Sequence, residues 1–580
     1  MDYLRKYWKK YRALFLLSVF CVAVEAICDL LQPRIMAELI DDGVARGDLD
    51  FVLRTGLRML GVVAFGALFA MGRNAASSYV SQSFGAELRK DIFIKVQSFR
   101  PDDIDGFDGG SLVTRLTNDV TQLQNFANGL MRIFFKAPVI CIGAIVMAIS
   151  LDLKIIPIII PLVSLVFIVI SITMHLAYPR FSRVQTALDA MNVTLREYLG
   201  GIRLVKAFRR FQDERRRFGA VNGELADSTV SANRVLVVFS PFMTLFANIG
   251  IAALLFFGAR WVGAGELKVG QIMAFVTYVT QIIGSLNMIS NVLNLFVRVK
   301  TSHGRIAEVM EVSTPTRPGD GRFVPEEESF FSGRSIIFEN VGFRYKNSTG
   351  QAALANISFS VSPGETLGVI GPTGSGKSTL AALLLRLYEP ADGCISVGSI
   401  PSAGVSERRW REHAAIVPQT PTLFSGTIRE NILWGNPDAT AREIEDAAVS
   451  AQADEFIRKM EDGYDSRIGQ SGVNLSGGQK QRISIARALI RKPDLLVLDD
   501  CTSALDVVTE SEVKKALLSY RMACVWITQR VSTAMSCDRI LVLENGEQAG
   551  WGTHEELLEN CPVYRDIFVS QVGKEAICHE

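Results

Sequence analysis

Uncharged apolar runs constrain the fold of this chain more than any other feature of its sequence. Three of these runs contain no Asp, Glu, Lys or Arg: 155–174, 235–259 and 269–297. Three weaker ones carry one or two charges, among them Glu25, Asp29, Arg58 and Arg73: 13–33, 57–80 and 132–151. Each is close to the roughly 20 residues that a helix needs to cross a bilayer. One such run would suit a buried helix of a soluble protein, but six of them before residue 300 predict six membrane spans.

Composition narrows the class of protein further. The chain has 580 residues, of which 48% are hydrophobic and 21% charged, so it is not a disordered chain, and its length predicts at least two domains. The 61 basic and 60 acidic residues give a formal charge of +1, so there is no global positive field that would bind a nucleic acid. The nine cysteines form no CxxC pair, and neither a disulfide framework nor a zinc site is predicted.

The distribution of Lys and Arg predicts the orientation of the spans. Five basic residues precede the first span, and the segments 81–128 and 178–234 carry five and eleven. The alternating short loops hold two, one and two: 41–54, 151–154 and 258–268. By the positive-inside rule the basic segments face the cytoplasm. An even number of spans then places both termini and everything after Lys300 in the cytoplasm, and no cleavable signal peptide is evident.

The two long cytoplasmic segments read as charged helical sequence. Each is about 50 residues long, far more than a turn requires. We expect spans 2 to 5 to continue into the cytoplasm as helices, with tips near 98–108 and 206–214 that dock on the soluble part of the assembly.

The sequence changes character after residue 312. Residues 313–334 are rich in Pro, Gly and Glu and are predicted to link a membrane domain, 1–312, to a soluble domain, 335–580. In the soluble domain short β-type runs such as TLGVIG, LLVLDD and CVWITQ alternate with helical ones. This alternation predicts an α/β domain with a largely parallel sheet.

A glycine-rich loop in the soluble domain has the pattern of a phosphate-binding loop (P-loop). It matches GxxxxGK[ST], follows the run TLGVIG and precedes the helical run STLAALLLRLY. In such a loop the glycines let backbone N–H groups turn towards phosphates, the lysine (Lys377) neutralises charge and the serine (Ser378) coordinates Mg²⁺. The candidate phosphate-binding residues are Gly371, Thr373, Gly374, Ser375, Gly376, Lys377, Ser378 and Thr379.

Two further motifs occur in the same domain. The apolar run LLVLDD reaches Asp499, which is predicted to be a second Mg²⁺ anchor on a strand beside the P-loop strand. Between these motifs, Leu475–Gln479 reads LSGGQ and is followed by the helical run KQRISIARAL. A glycine pair at the start of a helix is again suited to binding a phosphate.

Together these motifs resemble those of ATP-binding cassette (ABC) exporters. The P-loop, LSGGQ and LVLDD occur in the order of that family and follow six spans, so the resemblance covers nearly the whole chain. It implies ATP and Mg²⁺ as cofactors, Tyr345 as the aromatic that stacks on adenine, and Gln419 as the glutamine that joins Mg²⁺ to the membrane domain. The implied metal ligands are Ser378, Gln419 and Asp499.

The resemblance also implies a dimer. In this family each ATP lies between the P-loop of one subunit and the LSGGQ of the other, so one chain cannot complete a site. The residues that this chain would offer to its partner's ATP are Ser476, Gly477, Gly478 and Gln479.

Two residues depart from the family pattern at the reacting centre. Where the family has Glu as general base, this chain has Asp500, whose carboxylate is shorter by about 1.5 Å, one C–C bond. Where the family has a switch histidine, it has Gln529, which can donate to a phosphate but carries no charge. Gln470, ahead of LSGGQ, is a third departure of less weight. Asp500 and Gln529 together resemble the impaired-site subunit of heterodimeric bacterial exporters, whose homologous partner carries Glu and His.

Polar residues within the spans are candidates for contact with a transported molecule. Span 1 carries Glu25, and span 6 carries Gln281, Asn287, Asn291 and Asn294. Polar groups avoid lipid, so we expect them to face a cavity or a neighbouring helix. Glu25 is a candidate attractor of cations or a proton-sensitive group, whereas the amides suit helix packing as well as substrate binding.

These observations predict one half of an ATP-driven exporter in the cell membrane. It would move hydrophobic or amphipathic small molecules as a heterodimer, with hydrolysis mainly at the partner's site. The alternatives are an ATP-gated channel or regulatory subunit, a lipid or peptide exporter, and an importer of exporter-like architecture.

Overall fold

Two compact units make up the chain. They are Met1–Gln97 with Gly109–Val312, and Ser98–Asp108 with Ser313–Glu580. The computed structural model describes residues 2–312, 331, 333–346, 350 and 352–573, apart from the side chains of 2, 174, 236, 239, 240, 287, 289–295, 297, 298 and 507. Most of the predicted linker, 313–334, and the side chains of Asn287, Asn291 and Asn294 lie outside the described residues.

Long helices dominate the first part of the chain. Their bounds are α1 Asp2–Glu38, α2 Leu49–Gln97, α3 Pro101–Ile104, α4 Gly109–Thr114, α5 Val120–Gly129, α6 Lys136–Leu151, α7 Ile156–Gly200, α8 Ile202–Ala207, α9 Phe211–Gly263 and α10 Val269–Glu311. In the described part of the chain, six helical stretches are long and apolar enough to cross a membrane. The predicted helical membrane domain of six spans is confirmed.

The helices next to the predicted tips are much longer than a bilayer is thick. α2 has 49 residues and α9 has 53, or about 74 and 80 Å at 1.5 Å per residue, against a hydrocarbon core of about 30 Å. The chain leaves the helical conformation at residues 98–100 and again at 208–210, where Arg209 has a left-handed φ of 53°. These breaks fall within the two predicted tips.

The soluble domain is built on strands and shorter helices. The strands are β1 Ile336–Phe343, β2 Leu354–Val361, β3 Thr366–Ile370, β4 Asp392–Val397, β5 Ile400–Pro401, β6 Ala414–Val417, β7 Gly426–Thr427, β8 Arg467–Ile468, β9 Leu495–Asp499, β10 Ala523–Ile527, β11 Arg539–Glu544 and β12 Glu547–Gly552. The helices are α11 Lys377–Leu384, α12 Glu407–His413, α13 Ile428–Leu433, α14 Ala441–Ser450, α15 Asp454–Arg458, α16 Gly477–Leu489, α17 Val507–Leu518, α18 Val531–Ala534, α19 His554–Asn560 and α20 Pro562–Val572.

One large sheet organises these elements. Its strand order is β5-β4-β1-β2-β12-β11-β3-β10-β9-β6. The neighbours from β11 to β6 pair in parallel, whereas β1 pairs antiparallel with both β2 and β4. The predicted α/β fold is confirmed, but the expectation of a largely parallel sheet describes only one side of it, because short β-type runs do not reveal the direction of their partners.

The sheet order corrects one detail of the predicted site. The strand that carries Asp499, β9, does not lie beside the P-loop strand β3, because β10 lies between them. Every residue of β3 and β10 is buried, as is typical of inner parallel strands. Since parallel strands end at one edge of a sheet, the carboxyl ends of β3, β10, β9 and β6 still bring their following loops together.

Candidate nucleotide site

Two glycines show why the P-loop needs its sequence. Gly376, just before α11, has a φ of 99°, a conformation that other residues adopt at a cost. A Cβ on Gly371 would collide with the carbonyl oxygen of Leu543. The loop is thus a close-fitting backbone turn between β3 and α11, as the sequence predicts, although α11 ends at Leu384, earlier than the run STLAALLLRLY suggests. Backbone N–H groups at a helix start favour a phosphate.

Lys377 lies folded over this turn. Its Nζ donates to the carbonyls of Gly371 at 2.8 Å and Pro372 at 2.7 Å. Burial lowers the pKa of Lys377, while the carboxylates of Asp500 and Asp499 act in the opposite direction. An ammonium that has lost part of its hydration is well placed to bind an anionic phosphate.

Two of the predicted metal ligands lie close together, Ser378 at the start of α11 and Asp499 at the end of β9. Burial raises the pKa of Asp499, and the nearby side chain of Ser378 partly offsets this. Gln419 follows β6 and is exposed. A hydroxyl, a carboxylate and an amide are hard oxygen donors, so this set fits Mg²⁺.

Asp500 takes a strained position next to these ligands. Its φ is 44°, and its backbone N–H donates to the carbonyl of Ile527 on β10 at 2.8 Å. Its carboxylate accepts a hydrogen bond from Nε2 of Gln419 at 3.2 Å. Burial raises the pKa of Asp500, against the effect of the Gln419 hydrogen bond. Asp500, which the family resemblance places where the general base lies, is therefore hydrogen-bonded to the neighbouring glutamine.

Gln529 lies on the loop that follows β10. The preceding residue, Thr528, donates its backbone N–H to the carbonyl of Val369 on β3 at 3.0 Å, which sets the loop beside the P-loop strand. Gln529 itself is exposed, and its carbonyl accepts a hydrogen bond from Gln571 at 2.7 Å. The structure thus places Gln529 at the same sheet edge as Asp499 and Asp500.

Tyr345 contacts the P-loop helix through its hydroxyl. That oxygen lies 3.1 Å from Oγ1 of Thr379. The ring packs edge-on against Phe343 and Tyr388, with centroid distances of 4.9 and 5.4 Å. An aromatic ring is therefore fixed beside the P-loop, where the family resemblance places the adenine.

The LSGGQ motif forms the start of helix α16. Ser476 and Gln479 make a capping box: Oγ of Ser476 accepts the N–H of Gln479 at 3.3 Å, and Oε1 of Gln479 accepts the N–H of Ser476 at 2.9 Å. Ser476 and Gly477 are exposed. A Cβ on Gly478 would lie 3.1 Å from the carbonyl oxygen of Ala504. The motif is thus an exposed helix N-terminus backed by the segment after Asp500.

The first tip belongs to the same compact unit as the soluble domain. Within Ser98–Asp108, the carboxylate of Asp105 accepts a hydrogen bond from the hydroxyl of Tyr388 at 2.7 Å. Asp102 lies 3.6 Å from Nζ of Lys346. Lys346 follows Tyr345 in the sequence, and Tyr388 packs against the Tyr345 ring. The tip therefore contacts the neighbours of the predicted adenine platform.

Sequence reasoning missed Tyr388 and a second residue, Glu510, which is buried on α17. Nothing local marks Tyr388, since its partner Asp105 is 283 residues away. Glu510 lies in the first turn of a helix capped by Asp506, where acids are common on exposed surfaces because of the helix dipole. The local pattern therefore hides its burial.

In the membrane unit, Glu25 is surrounded by cations. It lies 3.1 Å from Nε of Arg73 and 2.6 Å from Nζ of Lys136, which also pairs with Asp29 at 3.0 Å. The amide of Gln281 donates to the carbonyl of Asp29 at 3.2 Å. These contacts join α1 to α2, α6 and α10, so they favour a packing role for Glu25 and Gln281.

Comparison with known proteins agrees with the fold and the site described above and covers nearly the whole chain. The model of the ABC transporter transmembrane region matches residues 15–286, and the ABC transporter model matches residues 354–503. The chain is 40% identical to the "Uncharacterized ABC transporter ATP-binding protein YfiB" of Bacillus subtilis (strain 168), with 98% of each chain covered. It is 30% identical to the "Probable multidrug resistance ABC transporter ATP-binding/permease protein YheI" of the same strain, over 98% of this chain and 96% of the relative.

A solved structure shares the fold. It is that of a bacterial Atm1-family ABC exporter with ATP bound, which superposes with a TM-score of 0.78 over 97% of this chain and 98% of the other, at 24% identity. The fold, the P-loop cradle and the family matches agree. The chain therefore belongs to the ABC transporter family, as a multi-pass membrane protein with an ABC-type ATPase domain and the fold of an exporter.

Proposed function

We propose that this chain is one half of a heterodimeric ABC exporter. It binds ATP at its own site with little turnover, and it supplies LSGGQ to the competent site of a homologous partner that carries Glu and His. The observation that carries the proposal is the hydrogen bond that Gln419 donates to the carboxylate of Asp500. This carboxylate already reaches one C–C bond less far than that of the family's Glu, and the hydrogen bond engages it with Gln419 instead of a water.

The chemistry of the site supports slow turnover. A general base must come within hydrogen-bond distance of the attacking water. Asp500 is shorter than Glu by about 1.5 Å, and a misplacement of about 1 Å can lower a rate on the order of 100-fold. Gln529, in the place of the family's histidine, has no positive charge to offer to a γ-phosphate. Binding groups such as Lys377 and Ser378 are present, so ATP is held more readily than it is hydrolysed.

The exposed start of α16 supports pairing with a second subunit. Ser476 and Gly477 are exposed at the N-terminus of a helix of 13 residues. The positive end of the helix dipole favours an anion there. In the proposed dimer that anion is the γ-phosphate of the ATP bound to the partner's P-loop.

For the cargo we propose a hydrophobic or amphipathic small molecule. The printed name of the relative YheI, a probable multidrug resistance transporter, points in this direction. The cations around Glu25 add to this argument, since a carboxylate paired with Arg73 and Lys136 presents little net negative charge to a cationic cargo. We place the transporter in the cell membrane with both termini and the ATPase domain in the cytoplasm, following the distribution of Lys and Arg.

The test of the heterodimer is purification of this chain alone and with its partner. As a homogeneous homodimer it should hydrolyse Mg²⁺-ATP at about one hundredth of the rate of the pair or less, because both sites would contain Asp500 and Gln529. The measurement is steady-state ATPase in lipid nanodiscs. Full transporter-level turnover by the homodimer would contradict the proposal.

Transport assays distinguish the exporter from its alternatives. Inverted vesicles that contain the pair should accumulate a hydrophobic dye against its gradient when ATP is added. ATP-dependent uptake of the dye into right-side-out vesicles that are loaded with ATP would indicate an importer. An ATP-dependent ion current in a planar bilayer without concentrative uptake would indicate a channel.

Coupling between ATPase domain and spans gives a further prediction. Tyr388→Phe keeps the ring beside Tyr345 but removes the hydrogen bond to Asp105. Loss of one such bond costs about 1 kcal/mol, which shifts a two-state equilibrium about fivefold. We therefore expect the ratio of the ATP-bound to the resting conformation of the pair to fall about fivefold at saturating ATP, measured by electron-electron distances between spin labels on α2 and α9.

The matched control is Tyr464→Phe. Tyr464 also donates its hydroxyl to a carboxylate, that of Asp454 at 2.6 Å, but within the ATPase domain. This variant should leave the ATP-driven conformational change as it is. An equal effect of both substitutions would mean that the tip contact does not carry the coupling.

A further inference from the structure

Glu510 is a buried carboxylate in the ATPase domain that no part of the proposed mechanism uses so far. It lies in the first turn of α17 and is 7% exposed. Oε1 accepts hydrogen bonds from the hydroxyls of Thr502 at 3.1 Å and Thr533 at 2.8 Å. Oε2 accepts one from Nη1 of Arg530 at 2.8 Å, and Nζ of Lys514 lies 3.4 Å from Oε1.

These partners keep the carboxylate ionised. Burial acts to raise the pKa of Glu510, but the hydrogen bonds from Thr533 and Thr502 and the charges of Lys514 and Arg530 outweigh it and lower the pKa below its ordinary value. A buried charge with this many donors fixes their geometry, because the hydroxyls of Thr502 and Thr533 are buried as well and would be left without an acceptor if the carboxylate moved.

Two of the segments that contact Glu510 directly follow the departures from the family pattern. Thr502 follows Asp500, and Arg530 and Thr533 follow Gln529. Arg530 makes a second contact, in which Nη2 donates to the carbonyl of Ser503 at 3.3 Å. The guanidinium of Arg530 therefore holds together the loop of Gln529 and the segment after Asp500.

The segment after Asp500 also contacts the LSGGQ motif. Ala504, next to Ser503, lies against both glycines of the motif: a Cβ on Gly477 would be 4.0 Å from its Cβ, and one on Gly478 would be 3.1 Å from its carbonyl oxygen. A continuous series of contacts thus runs from the loop of Gln529 through Arg530 to the exposed start of α16.

We propose that Glu510 is a positioning residue for ATP hydrolysis. By fixing Arg530, it sets Gln529 at this chain's own site and the backbone of Ser503 and Ala504 behind the LSGGQ that serves the partner's site. One buried side chain thus positions residues that belong to two different ATP sites. The inference rests on the proposed function, in which LSGGQ completes the partner's competent site.

The test is Glu510→Gln, made in this chain within the full-length active assembly. The amide keeps the size of the side chain and an acceptor oxygen for the threonines but loses the charge that holds Arg530. We expect kcat for ATP to fall about tenfold while KM changes less than twofold, because the change displaces groups around the γ-phosphate and leaves the P-loop intact.

Two further variants separate this role from general stability. Glu512→Gln, on the same helix, removes an exposed ion pair with Lys515 and should leave kcat unchanged. The double variant Glu510→Gln with Arg530→Gln should lose no more kcat than the larger of the two single losses, since both substitutions break one pair. Thermal unfolding of each variant corrects the rates for the folded fraction.

The outcomes decide the two proposals separately. If Glu510→Gln lowers kcat no more than Glu512→Gln, or if the single losses simply add, the positioning role is wrong, whichever assembly is active. If the homodimer proves to be the active assembly, the heterodimer proposal fails. The kcat comparison is then made in that homodimer and still decides the role of Glu510.

Discussion

Gly477→Asp in this chain should lower the ATPase rate of the assembled pair about 100-fold or more. Gly477 is the first residue of α16, at the positive end of the helix dipole. In the proposed dimer its N–H faces the γ-phosphate of the partner's ATP, and a carboxylate there would repel it. Removal of one donor from a developing charge already costs on the order of 100- to 1,000-fold in kcat.

The surroundings of Gly477 leave room for a larger side chain. A side chain at this position meets only Cβ of Ala504, at 4.0 Å, and the site is exposed. An acid in the first turn of a helix is also favourable for the helix itself. The substitution should therefore leave the fold intact, and an unchanged unfolding temperature confirms that the lost rate reflects chemistry.

The matched control is Asp500→Asn in the same chain. It acts on the proposed slow site, so it should change the ATPase rate of the pair less than twofold. The measurement is steady-state ATPase of the purified pair with each substitution made in this chain alone. If Asp500→Asn abolished turnover and Gly477→Asp left it intact, the slow and competent sites would have to be exchanged.

The parts of the site that the sequence predicts correctly are local ones. The P-loop between β3 and α11 and the helix start at LSGGQ each follow from a few consecutive residues, so their spacing alone predicts the local backbone. The six spans are equally local, because each depends on the hydropathy of one continuous run.

The parts that the sequence misses depend on distant partners. The place of β10 between β3 and β9 follows from the order of the sheet, which no single strand encodes. The contacts of Tyr388 with Asp105 and of Glu25 with Lys136 join residues 283 and 111 positions apart. In each case the residue types are visible in the sequence, but the register that brings them together is set by packing.

Restoring the family residues in this chain should create a second working site. We expect a homodimer of the double variant Asp500→Glu and Gln529→His to hydrolyse ATP at least tenfold faster than the unaltered homodimer. Glu extends the carboxylate by about 1.5 Å, beyond the point at which Gln419 now holds it, and a gain of about 1 Å in placement can be worth on the order of 100-fold. Histidine adds a ring that can donate to the γ-phosphate and carry charge.

Both positions should accept the change. Gln529 is exposed, so an imidazole meets no core packing, and Glu at 500 keeps the backbone contact of Asp500 with Ile527. Each single variant serves as a control: because base and switch residue act on one reaction, the double gain should exceed the product of the single gains. The measurement is kcat of each homodimer with Mg²⁺-ATP, with Lys377→Ala added to the double variant to show that the new activity needs the P-loop. If the double variant stayed as slow as the unaltered chain while it still bound ATP, then Asp500 and Gln529 would not be what limits this site, and the proposal of an impaired site would have to rest on another residue.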